Sequence, residues 1–452
     1  MPKAIQQMAE TIKIKQGVNI PLVGEAVKEV IESLSDSCAL RPADFHGVVP
    51  KLVLKEGADV KVGTPIFYDK YDDRVQYCAP VSGEIAEVVR GDKRLILEIR
   101  IIADKEQRFE NFDTSLDSVD GIKKTLLQSG TWPLIKQRPY DIVANPDDTP
   151  KAIFVSAFDS APLAPDYNFI LKDRIADLQK GVEVLSMLTN GKVYFNINGR
   201  EDAGVFGMLK NVVLNKFEGP HPAGNVGVQI HNLLPINKGE KVWVVNPQDV
   251  AAIGYLFANG KIDNRRTIAA TGSEYKKPRY YSVYLGTSLK PLLHNELKSD
   301  NVRIISGNVL TGVKNSQTGY LGYYHHQITA MPEGTEPEFF GWITPGLNKF
   351  SLSRSFFSWL MPGKKYTLDT LQHGEERPFV LSGQYEKVFP FDIYPVYLLK
   401  AMITENIDAM EKLGVYEVAP EDFALCEFAC TSKIEVQQIV RKGLDLVHKE
   451  CG

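Results

Sequence analysis

Cysteine is scarce: the 452 residues contain five, Cys38, Cys78, Cys426, Cys430 and Cys451. An odd number at wide spacing argues against a disulfide framework and suits a reducing compartment. Neither charge sign dominates. Lys plus Arg is 52 and Asp plus Glu is 56, a net charge of -4, which removes any broad electrostatic case for nucleic-acid binding. No stretch approaches the roughly 18 uninterrupted apolar residues of a membrane span. Met1-Pro2-Lys3-Ala4 leads into Gln6, Gln7, Glu10 and Thr11 without the apolar core of a signal peptide, which predicts a cytoplasmic chain.

The chemical motifs are missing too. There is no Gly-x-Gly-x-x-Gly dinucleotide fingerprint, no Gly-x-x-x-x-Gly-Lys-Ser/Thr phosphate loop and no Gly-x-Ser-x-Gly nucleophile elbow. A free-standing dehydrogenase, NTPase or serine hydrolase is expected to carry one of them, so no catalytic residue is assigned. No His-Glu-x-x-His occurs, and the adjacent His325 and His326 would face opposite sides of a strand and could not share an ion. Cys426 and Cys430 are four positions apart, which places both thiols on one face of a helix. Zinc or iron–sulfur sites need about four ligands, and the next candidates, His448 and Cys451, are distant. The pair reads as structural, and no metal is expected.

What is present is ordinary for a globular protein: 44% apolar and 24% charged residues, enough for roughly three domains. From about 45 to 102 the chain reads as short strands punctuated by Gly57, Gly63 and Gly83, the pattern of a biotinyl- or lipoyl-type sandwich. Its hairpin tip, Tyr68-Asp69-Lys70-Tyr71-Asp72, lacks the flanks of a modified lysine, so the sandwich reads as a structural or docking element. From 120 to 260 strands alternate with helices. Lys151–Ala157, Lys192–Ile197 and Lys241–Val245 are strands, and Ile170 to Leu188 has helical spacing. Asn246-Pro247 caps a helix that Gly260 stops. Such alternation predicts βαβ units and a Rossmann-like domain without its fingerprint. Residues 266–330 predict strands with a short helix over Leu289–Leu297, a compact β-grasp-like unit. Residues 331–394 are irregular but aromatic. An apolar stripe from Val396 to Leu413 predicts a helix opened by Pro395 and stopped by Gly414. Pro420 opens a second helix, and Ser432-Lys433-Ile434-Glu435 reads as a capping box for a third.

Several longer stretches stand out beside these units: Gly219-Pro220-His221-Pro222-Ala223-Gly224, Val302 to Gly312 and Tyr320 to Gln327. Downstream come Phe340-Gly341-Trp342, Asn348-Lys349-Phe350-Ser351, Arg354-Ser355-Phe356 and Asp422-Phe423-Ala424-Leu425-Cys426. Together with the order of units, these stretches resemble a known family, the A-subunit family of the sodium-translocating NADH:quinone reductase (Nqr), over nearly the whole chain. The family's start is similar to Ile12-Lys13-Ile14-Lys15-Gln16-Gly17, which leaves the preceding residues as an extra tail. The resemblance implies an α/β multidomain chain. Its units would be an N-terminal segment with barrel-sandwich over 1–110, a degenerate Rossmann-like domain over 111–261 and a β-grasp (SLBB-like) domain over 262–330. An aromatic loop region and C-terminal helical domain would occupy 331–452.

It further implies a subunit on the cytoplasmic face of the bacterial inner membrane, partnered by the other Nqr subunits, especially the membrane ones. The complex uses NADH, flavins, iron–sulfur centres and quinone, while this chain would bind no cofactor of its own. Its enzymatic role would be that of a subunit without an independent catalytic centre. Cys426 and Cys430 then read as a remnant of a cluster region found in relatives of this fold. Gly219, Pro220, His221, Pro222, Ala223 and Gly224 form the candidate quinone-contact loop, set against the plainer reading of a rigid loop shaped by two prolines. Trp342, Phe350, Arg354 and Phe356 are the candidate docking residues. Two other readings stand beside this one: an enzyme binding NADH or flavin in the Rossmann-like domain, and an unmodified biotinyl-type docking module.

Overall fold

The computed structural model describes residues 10–335, 338–341 and 343–452. Trp342 and the greater part of the N-terminal tail therefore lie outside the described residues.

Alternating apolar positions and positive-φ glycines build the first unit as two small facing sheets. One orders Ser37–Leu40, Ile96–Ala103, Gly83–Arg90 and Asp59–Val60; the other orders Pro50–Leu52, Pro65–Asp69 and Asp72–Cys78. Phe67 stacks on Tyr77 at 4.5 Å, and Phe45 closes on Tyr77 at the same distance. Lys70 and Tyr71 sit at the turn between Pro65–Asp69 and Asp72–Cys78, the tip expected from the sequence.

The second unit has a seven-stranded sheet in the order Thr11–Lys13, Val213–Glu218, Val193–Asn198, Ile153–Ser156, Val242–Val244, Lys136–Arg138, Ile142–Val143. The first five strands pair in parallel, and the last two join through antiparallel pairings. Strand Ile153–Ser156 is fully buried at its first three positions, which is why it reads as a continuous apolar run. Helix Pro247–Asn259 forms as expected, with Asn246 Oδ1 accepting from the Gln248 amide at 3.0 Å and Gly260 left-handed at φ 68°. The helical stretch read from Ile170 to Leu188 is instead two helices, Tyr167–Leu171 and Ile175–Met187, and only the second is long.

The third unit is a six-stranded sheet ordered Val313–Asn315, Val302–Ser306, Gln327–Pro332, Arg265–Thr271, Arg279–Tyr284, Val27–Glu32. The helix read over Leu289–Leu297 shortens to Lys290–Leu293, with Leu289, Leu292 and Leu293 packed into that unit's core. Two N-terminal strands thus leave the first unit's sequence range and join other sheets.

The C-terminal helices are Pro395–Ile403, Ile407–Lys412, Ala424–Ala429 and Val436–Cys451. Two expectations fail here. The stripe from Val396 to Leu413 is broken, because Glu405 turns left-handed at φ 53° and Asn406 caps a new helix by accepting from the Ala409 amide at 3.0 Å. The Ser432 capping box does not form. Ser432 Oγ donates to the Pro378 carbonyl at 2.9 Å, Lys433 is left-handed, and the last helix starts at Val436 without a side-chain cap. No helix among the described residues is long and apolar enough to cross a membrane.

Candidate crevice site

Strand order dictates where a crevice opens. The chain moves from Ile153–Ser156 outward through Val193–Asn198 to Val213–Glu218, then crosses back to lay Val242–Val244 on the opposite side. Connections diverge at such a reversal and leave a cleft beyond the carboxyl ends of the two strands. A crevice of about 410 Å³ lies there, bordered by Ser156 at the end of the first strand and by Val245 and Asn246 just after the second. Phe158, Tyr167, Val226, Tyr324, His325 and His326 supply further walls.

The loop Gly219 to Gly224 follows strand Val213–Glu218 and leads to helix Val226–Leu233. Of its six residues, His221 and Gly224 line the crevice; Gly219, Pro220, Pro222 and Ala223 are not on its wall. The loop is clamped from outside. The His221 amide donates to Asn19 Oδ1 at 2.9 Å, and the His221 carbonyl accepts from the Val18 amide at 2.8 Å. It is clamped from inside by Ser160, whose Oγ accepts from the Gly224 amide at 2.8 Å and lies 3.0 Å from His221 Nδ1. Ser160 Oγ thus occupies Nδ1, and Nε2 is the ring nitrogen left for another partner. Burial pushes the imidazole pKa down to about 4, so the ring is neutral near pH 7.

A buried polar chain behind the loop went unread in the sequence. Asn215 Nδ2 donates to Asn196 Oδ1 and Asn196 Nδ2 to Gln229 Oε1, each at 3.0 Å. Gln229 Nε2 donates to Ser156 Oγ at 2.7 Å, and the Ser156 hydroxyl proton is shared between the Gly224 carbonyl at 2.8 Å and the Phe158 carbonyl at 2.9 Å. The central sheet is thereby wired to the loop, and its sequence signal is Asn196 and Asn215 at buried strand positions.

A cluster of charges at the crevice was also missed. Arg138, 2% exposed, donates through Nη2 to Glu421 at 2.5 Å and through Nη1 to Asp422 at 3.1 Å. Asp141 lies 3.9 Å from Arg138 and 3.3 Å from Lys136 Nζ. Burial raises the Glu421 and Asp422 carboxyls, and Arg138 only partly offsets it. Burial also acts on Asp141, but Lys136, Arg138 and Arg441 outweigh it and hold that carboxyl below its ordinary range. Arg138 thus ties the sheet edge to the turn that opens the Ala424–Ala429 helix, where Asp422 also accepts from the Ala419 amide at 2.9 Å.

The histidine pair precedes the strand Gln327–Pro332 and does not lie on it. His325 Nδ1 meets Ser306 Oγ and His326 Nδ1 meets Gln248 Nε2, both at 2.8 Å. Cys426 and Cys430 are buried in the core shared by the α/β sheet and the C-terminal helices. Cys430 falls just past the end of its helix, so the two thiols do not share a helical face as expected. Burial raises the Cys426 thiol well above its ordinary range. No group of three or more His, Cys, Asp or Glu able to hold a metal occurs among the described residues.

Of the docking candidates among the described residues, Phe350 and Phe356 are half-buried and Arg354 is exposed. Phe350 is half-buried against Tyr366 at 5.6 Å and Phe428 at 6.1 Å. Phe356 packs under the Lys349 ammonium at 5.3 Å. Arg354 is exposed and lies 5.9 Å from the Trp359 ring. Among the described residues, the exposed aromatics between 338 and 368 are Phe339, Phe340, Phe357 and Trp359.

Comparison with known proteins covers the whole architecture. A family model for the NqrA N-terminal barrel-sandwich hybrid domain matches residues 12–104, one for the NqrA second alpha/beta domain matches 118–262, and one for the NQRA C-terminal domain matches 267–317. The chain is similar to the NqrA component of the Na(+)-translocating NADH-quinone reductase of Vibrio anguillarum, 37% identical over 97% of this chain and 100% of that one. The same component from Hahella chejuensis is 38% identical, and that from Neisseria meningitidis 36% identical, at the same coverage. Among solved structures, an NAD+-reducing [NiFe]-hydrogenase in the air-oxidized state overlaps 75% of this chain and 62% of that one, at 12% identity and a TM-score of 0.40.

Proposed function

The chain belongs to the NqrA family of Na(+)-translocating NADH-quinone reductase subunits, and from that membership we propose that it is a peripheral component of such a complex that helps to bind quinone. On this reading it holds no cofactor of its own and docks on the complex's membrane subunits at the cytoplasmic face of the inner membrane. The observation that carries the quinone assignment is the crevice at the strand reversal with His221 on its wall. A quinone carbonyl needs a hydrogen-bond donor, and its ring needs apolar walls. The neutral His221 imidazole is assigned as the donor through Nε2, in the tautomer in which Ser160 donates to Nδ1. Phe158, Val226 and Tyr324 are the walls. Gly219, Pro220, Pro222 and Ala223 set the loop's path and do not touch the ligand.

Docking is assigned to the segment around 338–368, with Arg354 and the exposed aromatics at its surface and Phe350 and Phe356 packed within it. The same crevice is where a dinucleotide would sit in a βαβ fold, but no glycine-rich turn is available to cradle its phosphates.

Titration calorimetry on the full chain tests the assignment with a short-chain ubiquinone, NADH and FMN as separate ligands. Saturable quinone binding is expected, weakened roughly fivefold to tenfold by His221→Phe, the loss of one hydrogen bond. Saturation by NADH or FMN in place of quinone would move the reading to a nucleotide-binding enzyme. Silence from quinone at millimolar concentration would end the quinone assignment.

A further inference from the structure

From Phe339 to Leu368, between Glu338 and Asp369, the chain contains no Asp or Glu; of its four cations Lys349 pairs with Glu338 and Lys365 with Glu25, while Arg354 and Lys364 have no carboxylate partner among the described residues. Nine of the exposed large apolar side chains among the described residues fall in the same stretch. Phe339 is 86% exposed, Leu360 61%, Ile343 60% and Phe357 57%. The stretch is rooted and tied. Its base is fixed by Phe350 and by Tyr366, whose amide donates to the Pro21 carbonyl at 2.7 Å and whose carbonyl accepts from the Val23 amide at 3.0 Å. Its two arms are joined where the Phe357 amide donates to the Pro345 carbonyl at 2.9 Å and Lys364 Nζ to the Leu347 carbonyl at 2.7 Å. Apolar side chains are therefore held outward by a fixed base.

Nine exposed large apolar side chains in one tied stretch mark a contact that folding alone does not cover. The charge pattern says of which kind. A protein partner has no general reason to exclude carboxylates over thirty positions, whereas an anionic lipid surface repels them and attracts each Lys or Arg. Trp favours the headgroup level, Phe and Leu dip into the boundary below it, and the stems of Lys and Arg pack along apolar surface with their charges among phosphates. Arg354 beside the Trp359 ring has that arrangement.

We propose that this segment seats in the headgroup layer of an anionic phospholipid bilayer. The inference rests on the docking assignment above and adds lipid as the surface the segment meets.

Flotation of the full chain with phosphatidylcholine vesicles, with and without phosphatidylglycerol, tests it. Binding is expected on the anionic vesicles at low salt, and weaker on the order of tenfold on neutral vesicles. Arg354→Gln with Lys364→Gln should weaken anionic-vesicle binding on the order of tenfold. Phe357→Ser with Trp359→Ser should abolish it while circular dichroism and melting stay unchanged. Failure to float with anionic vesicles, or flotation that survives both double variants, overturns the proposal. Membranes holding the remaining subunits separate the two readings. A chain that binds them but not bare vesicles, and loses that binding in Phe357→Ser with Trp359→Ser, docks on protein and not lipid. A chain that binds neither loses both assignments.

Discussion

His221 sits where a charge would be expensive. Its ring is 4% exposed, and burial has pushed its pKa from 6.5 down to about 4. Burial likewise lowers His325 to about 4, aided by Arg41, Lys136 and Arg266, and takes His326 well below its ordinary range. In the unfolded chain each ring takes up its proton near pH 6.5. Between about pH 6.5 and 4 the unfolded state therefore binds more protons, and the stability present above pH 6.5 is lost as pH falls. For His221 alone the loss reaches about 3 kcal/mol. Glu421, raised by burial, acts with the opposite sign over part of the same range, so wild-type stability alone mixes the two. Urea unfolding of wild type and His221→Gln at pH 7 and pH 4.5 isolates the histidine: the variant should lose less stability on acidification. An equal loss in both would contradict a buried neutral ring. The position of His221 between two prolines was readable as loop-forming, but its partner Ser160 is 61 residues away. The Arg138–Asp422 pair spans 284 residues. No local pattern encodes such contacts.

Among the elements, the tightest contact in the α/β unit is the crossing of helices Ile175–Met187 and Pro247–Asn259. A Cβ at Gly254 would lie 1.8 Å from the Asp177 carbonyl oxygen, and one at Gly181 would lie 2.0 Å from that of Val250. The backbones touch, and neither helix can move without disturbing the sheet beneath. Gly254→Ala is expected to cost about 3 kcal/mol or more in chemical denaturation. Gly239→Ala, at an open left-handed turn of φ 82°, should cost only about 1 kcal/mol. Similar costs for the two would show that the helices do not meet this closely. Capped elements were the legible ones: Asn246-Pro247 and Gly260 bracket their helix as read. The break at Glu405 was missed because apolar residues keep helical spacing on both sides of it, so the stripe bridges the cap at Asn406. The Ser432 box had the right letters, but Ser432 found a carbonyl at Pro378, far outside any local window.

At the scale of the whole molecule, the N-terminal stretch stitches the units together. Thr11–Lys13 adds the outermost parallel strand to the α/β sheet, and Val27–Glu32 adds the edge of the six-stranded sheet. Between them Ile14, Ile20 and Leu22 enter the core that holds the C-terminal helices. A chain starting at Ser33 would lose both strands and three buried side chains, worth about 2 kcal/mol each before the strand pairings are counted. Its melting temperature should fall by more than about 5 °C, with early proteolysis in the α/β unit. Melting within a degree of the full chain would show that these strands are dispensable.

By itself the sequence determined the kinds of unit and their order, because binary patterning, caps and turn glycines act within a few residues. It also determined which chemistries are missing, because their motifs are local. Only the tertiary structure decided that two early strands serve later sheets and that the strand reversal opens a crevice beside His221. It alone joined Arg138 to Glu421 and Asp422, since buried charges are placed by whatever the fold brings within hydrogen-bond reach and not by their neighbours in the chain.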